Sequence, residues 1–163
     1  MNEAEQELLQ YIKLTLHMRL RNGIPKGFTY AGMEDYLLEH AQWYTWAPLP
    51  KNIARGTPQR CFRNSFNLAS RRKKLRYVEG IALSVIPTHH AWNVGEAGTV
   101  IDSTWPVGVA YFGVEFPIAE ARVAVTSGGT MFDDPQRDFP LFRSPRNSKK
   151  GRAVMNVHAS GSR

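Results

Sequence analysis

The hydrophobic positions of this chain change period once, near residue 75, dividing it into a helical first half and a strand-rich second half. Over residues 4–21 apolar side chains fall at Leu8, Leu9, Ile12, Leu16 and Leu20. That is the spacing of one helix face, and Gly23-Ile24-Pro25 ends the run. A second helix is predicted over 31–43, with Met33, Tyr36, Leu37 and His40 on one side. Ala47-Pro48-Leu49-Pro50 reads as loop. A third helix is predicted over QRCFRNSFNLASRRKK, residues 59–74. Thr57 is its expected cap, Pro58 suits its first position, and Lys73 and Lys74 suit its negative end.

Beyond that helix the pattern favours β-formers. LRYVEGIALSVI (75–86) reads as a strand, with Gly80 marking a bulge. Residues 90–94 and 99–104 form two more strands around Gly95-Glu96-Ala97-Gly98, a hairpin signal. VAYFGVEF (109–116) is a fourth, ended by Pro117, and a short helix follows at 118–123. Gly128-Gly129 and Asp133-Asp134-Pro135 mark turns, and no internal repeat is present. Helices first and antiparallel strands second predict an α+β fold. The N-terminal helices and the 59–74 helix should pack on an antiparallel sheet of about four strands.

Composition bounds the function classes. At 163 residues the chain is long enough for one domain with a proper core. With 42% hydrophobic and 21% charged residues it is neither collagenous nor low-complexity. The opening MNEAEQELLQ has early glutamates where a secretory signal would be basic. No apolar run reaches the roughly 20 residues of a membrane span. A single cysteine excludes an internal disulfide, which fits a reducing, cytoplasmic setting. Six of the seven net positive charges lie in residues 143–163, which contain no acidic residue. The reading is therefore a domain over 1–142 and a basic, disordered tail over 143–163. Only that tail suggests contact with nucleic acid, through its charge.

The lone cysteine, Cys61, falls near the start of its helix, where the partial positive charge of a helix N-terminus favours a thiolate. A thiolate nucleophile needs a histidine to exchange protons and a carboxylate to hold the imidazole. His90 and Asp102 are the candidates, provided that the hairpin register puts them on one face. A three-residue turn at 95–97 would set His90 directly opposite Asp102 and leave Gly98 to adopt positive φ. Pairing Ala91 with Asp102 would instead send them to opposite faces. His89 alternates away from His90, as an exposed residue or spacer. No Cys/His spacing suggests a metal site, and no motif suggests a cofactor.

The order Cys61, His90 in His-Ala-Trp-Asn, then Asp102 in Val-Ile-Asp-Ser-Thr-Trp resembles the transglutaminase-like branch of the papain-like cysteine protease superfamily. The resemblance covers roughly residues 57–116. Around the nucleophile, Gln-Arg-Cys-Phe-Arg-Asn departs from the Gly-x-Cys-Trp pattern common there. The resemblance implies acyl chemistry on an amide, ester or thioester, with a protein or peptide as substrate. Cys61 would attack, His90 would protonate the leaving group, and Asp102 would orient His90. The Cys61 N–H and the Gln59 side chain are candidate oxyanion donors, and Trp92, Asn93 and Trp105 are assigned to the pocket. The alternative is an inactive scaffold of the same kind that binds or inhibits a protein. Arg71-Arg72-Lys73-Lys74 reads as a solvated helix end, with phosphate or acidic partners as the other use.

Overall fold

Residues 1–146 are described by a computed structural model. Helix α1 (Glu3–Leu20) is opened by a reciprocal pair of hydrogen bonds. The Glu5 amide donates to the Asn2 side chain and the Asn2 amide donates to the Glu5 carboxylate, each at 2.9 Å. Helix α2 spans Met33–His40, ending three residues before the sequence pattern predicts. The missing residues belong to strand β1 (Gln42–Tyr44), so the sheet has five strands rather than four. The reason is the Trp43-Tyr44 pair. A strand sends neighbouring side chains to opposite faces, and here Trp43 packs with one core cluster and Tyr44 with the other.

The remaining elements are α3 (Cys61–Arg71), β2 (Arg76–Leu83), β3 (Pro87–Val94), β4 (Val100–Ile101), β5 (Ala110–Phe116), α4 (Ile118–Thr126), a 3-10 turn (Pro135–Arg137) and α5 (Pro140–Arg143). Among the described residues the fold is α+β, with five helices and one sheet ordered β1-β5-β2-β3-β4. All neighbouring strands are antiparallel. The sheet curls until its two edges meet. Thr45, just after β1, bridges Thr99, just before β4, and the Val100 amide donates to the Thr45 carbonyl at 2.9 Å.

Two glycines permit this curl. Gly113, Gly80 and His90 lie in one row across β5, β2 and β3. A Cβ on Gly80 would lie 2.2 Å from the Phe112 carbonyl, and one on Gly113 2.6 Å from the Trp92 ring. The inner face holds Tyr44, Val78, Ala82, Trp92, Val94, Val100 and Tyr111. The outer face presents Tyr77, Ile81, Ala91 and Phe112 to a larger core with Leu8, Ile12, Phe66 and Ala124 of the helices.

The first residues assigned to the expected tail, 143–146, are held against the N-terminal region. Arg143 ends α5 and donates to the Gly27 carbonyl at 3.0 Å. Arg146 reaches Asp35 at 2.6 Å and stacks over Tyr30. The two guanidiniums are held because partly buried carboxylates and carbonyls of the N-terminal region face them. Residues 147–163, most of the predicted basic segment, lie outside the described residues. Among the described residues no helix is long and apolar enough to cross a membrane.

Candidate functional site

Cys61 is the first residue of α3, so its amide belongs to the first turn, where N–H groups have no intrahelical acceptor. The entry differs from the predicted Thr57 cap. The N-cap is Arg60, without a side-chain hydrogen bond to the helix. Gln59 is in the left-handed region at φ +62, and Arg60 folds back on the Thr57 carbonyl. Thr57 and Pro58 thus form a turn before the helix. Asn64, one turn into α3, locks that turn. It accepts from the Thr57 amide at 3.2 Å and donates to the Thr57 carbonyl at 2.7 Å and to Thr104 Oγ1 at 2.9 Å.

Across from Cys61, β3 and the loop after β4 hold the other two groups. The hairpin pairs Asn93 with Ile101 and Val94 with Val100. The predicted His90–Asp102 pairing is therefore displaced by two residues, and the turn is longer than three. A shift of two keeps the face while a shift of one would lose it, so both side chains remain on the inner side. Gly98 takes φ +75, the freedom that the turn requires. His90 Nε2 lies 2.7 Å from Asp102 Oδ2. The Tyr111 hydroxyl donates to the same oxygen at 3.0 Å. Asp102 Oδ1 accepts the amides of Thr104 and Trp105 at 2.8 and 2.9 Å. Four donors thus fix this carboxylate, and Arg55 clamps the loop by donating to the carbonyls of Asp102 and Trp105.

The environment favours the charged pair. Burial pushes the His90 pKa down, but the Asp102 hydrogen bond and the neighbouring Cys61 outweigh it, and the net shift is upward. Burial pushes Asp102 up, but the bond to His90, its charge, and the Trp105 and Thr104 amides hold it below the usual carboxylate range. Burial and the adjacent Asp102 keep Tyr111 a neutral donor. With Nε2 committed to Asp102, Nδ1 is the ring nitrogen left for Cys61. Trp105 stacks on the imidazole at 3.8 Å and 13°. Cys61 is 9% exposed and His90 1%.

Of the predicted pocket residues, Trp105 is at the site and Gln59 is exposed two residues before Cys61. Trp92 and Asn93 are not pocket walls. Trp92 is fully buried inside the curl against Tyr44 and Tyr111. Asn93 points to the other face, where its amide donates to the Ser65 carbonyl at 2.9 Å and ties α3 to the sheet. Sequence reasoning missed Asn64, Tyr111 and Arg55. Only Tyr111 carried a signal, as an inward position of a predicted strand. His89 is not a mere spacer: it sits between Phe62 and Phe132, with Nε2 3.4 Å from the fully buried Glu79.

Compared with known proteins, the chain matches no family model, no curated protein and no solved structure. Among the described residues no group of three or more His, Cys, Asp or Glu side chains could hold a metal ion.

Proposed function

We propose that this protein is a cysteine-dependent hydrolase or acyltransferase on a transglutaminase-like or papain-like core, acting on protein or peptide amides. The observation that carries this reading is the buried His90 Nε2–Asp102 Oδ2 bond of 2.7 Å beside a cysteine at a helix N-terminus. The Cys61 thiolate attacks the carbonyl carbon, and the oxyanion is met by the Cys61 amide and the Gln59 side chain. As the tetrahedral intermediate collapses, the C–N bond breaks and the departing amine takes the proton of the His90 imidazolium. Neutral His90 then removes a proton from water or from a second amine. The resulting attack releases the acid or a new amide and regenerates the starting pair. Asp102 stays ionised throughout and holds the ring.

Near-burial of the reactive groups favours a second reading, a scaffold that binds a protein through the same face without turnover. Trp105 stacks on His90, and Cys61 is only 9% exposed, so little of either reactive group meets solvent. Acylation by p-nitrophenyl acetate separates the two. The enzyme reading expects an acetyl group on Cys61 by mass mapping, with release of p-nitrophenol, and loss of both in Cys61→Ser. A folded wild type that never acylates at Cys61 overturns it in favour of the binding scaffold.

A further inference from the structure

The surface beside the site carries charge that the reaction does not use. Two clefts meet at Ile53 and Arg72. The larger, about 590 Å³, has apolar walls from Pro50, Ile53, Leu75 and Ile101 and a rim of Arg72, Lys73 and Lys74. The smaller, about 310 Å³, continues along α3 past Arg71 and Asn64 to Thr57 and Ser103. Its far end lies one residue from Asp102 in sequence and one helical turn from Cys61. Helix phase accounts for this course, because Cys61, Asn64, Leu68 and Arg71 recur at the spacing of a single stripe.

Five cations line the joined clefts (Arg55, Arg71, Arg72, Lys73 and Lys74) against one carboxylate, Glu96. Lys74 is paired with Glu96 at 3.3 Å, and Arg55 and Arg72 donate to backbone carbonyls. Arg71 and Lys73 are exposed and have no carboxylate partner among the described residues. A nucleic acid is a poor fit, since no aromatic side chain lines either cleft to stack on a base. Apolar walls under a basic rim suit carboxylate side chains spaced along a polypeptide.

We propose that this groove binds an acidic segment of the polypeptide substrate and leads it to Cys61. The proposal rests on the reading of Cys61 as the acyl-transfer nucleophile. The 11 residues of α3 span about 16 Å, a distance that about five residues of extended chain would cover. Acidic side chains should therefore lie about five positions from the amide attacked.

The test uses the full chain as Cys61→Ala, which binds without turning over. Fluorescence anisotropy follows a labelled peptide of alternating Glu and Ala, about ten residues long, its Gln counterpart, and a single-stranded oligothymidylate. The Glu peptide should bind about tenfold or more tighter than the Gln peptide and weaken as salt is raised. Arg71→Gln with Lys73→Gln should weaken it about tenfold, and Glu96→Gln should tighten it, with each variant still showing a cooperative melting transition. Equal binding of the two peptides, indifference to the loss of both cations, or tighter binding of oligothymidylate overturns the groove. Such a failure alongside a reactive Cys61 in wild type leaves the catalytic reading intact. Binding by a chain whose Cys61 proves unreactive keeps the groove and overturns the nucleophile.

Discussion

The two faces of β3 each carry a histidine beside a carboxylate, and the pairs are built for different ends. On the inner face, His90 and Asp102 share a 2.7 Å hydrogen bond, and three further donors hold the carboxylate in place for the ring. On the outer face, Glu79 accepts from the Tyr77 hydroxyl at 2.5 Å and from the Met131 amide at 3.0 Å. His89 stands 3.4 Å away without a hydrogen bond at Nε2. In one pair the carboxylate serves the histidine, and in the other it serves the fold by tying the 130–132 loop to the sheet. Adjacent histidines thus acquire separate roles because a strand sends them to opposite sides.

Replacing each histidine in turn is the strongest way to break this contrast. His90→Ala should lower acyl transfer to p-nitrophenyl acetate about 10³-fold, the scale of lost general acid–base catalysis, whereas His89→Ala should stay within about tenfold of wild type. Comparable losses in the two would mean that the outer pair also takes part in the chemistry. The carboxylates should divide the other way. Asp102→Asn should cost about 10²-fold or more in rate. Glu79→Ala should instead lower unfolding free energy in urea by about 2–3 kcal/mol, because it strands the buried Met131 amide and Tyr77 hydroxyl. Cys61 labelling should survive that change.

The pH dependence of stability sharpens the same point. A raised His90 pKa stabilises fully below the ordinary value of 6.5, and that contribution fades as pH rises through the folded value. A lowered Asp102 pKa stabilises above the ordinary 3.8 and is lost as pH falls through the folded value. The stability gap between wild type and Asp102→Asn should therefore be widest in weakly acidic solution, between those values, and narrow on either side. Urea titrations across that range that show a constant gap would contradict the pairing.

The smallest effect concerns Gln59, which has no counterpart beside His89. Gln59→Gly should leave stability within about 1 kcal/mol, since relief of the left-handed backbone offsets glycine's chain entropy. Acylation should nevertheless slow if the side-chain amide meets the oxyanion. Unchanged acylation would leave that role to the Cys61 amide alone.

Much of the fold was legible because local periodicity and packing agree. The stripe of Leu8 and Ile12 marked α1, and the β-formers of residues 75–86 and 109–116 marked β2 and β5. The failures have a common cause, contacts distant in sequence. Nothing near Trp43 and Tyr44 announces that Phe112 and Tyr111 await them as strand partners, so β1 was absorbed into a helix. Thr57-Pro58 carries a sound cap signal, but Asn64 draws that segment into a turn and moves the helix start to Cys61. Alternation put His90 and Asp102 on a common side, but a turn too short by two residues gave the wrong pairing. Of the donors around Asp102, the Thr104 and Trp105 amides belong to a local turn two and three residues on, whereas the Tyr111 hydroxyl comes from another strand and meets the carboxylate only when the sheet curls.

The central claim is that His90, held by Asp102, activates Cys61. Its most direct test is the rate of iodoacetamide alkylation at Cys61 across pH in wild type, His90→Ala and His89→Ala. The account predicts that wild type and His89→Ala keep labelling into mildly acidic solution, while His90→Ala labels only as an ordinary thiol does. Slow labelling in wild type, unchanged by His90→Ala, would make Cys61 a structural residue and contradict the account.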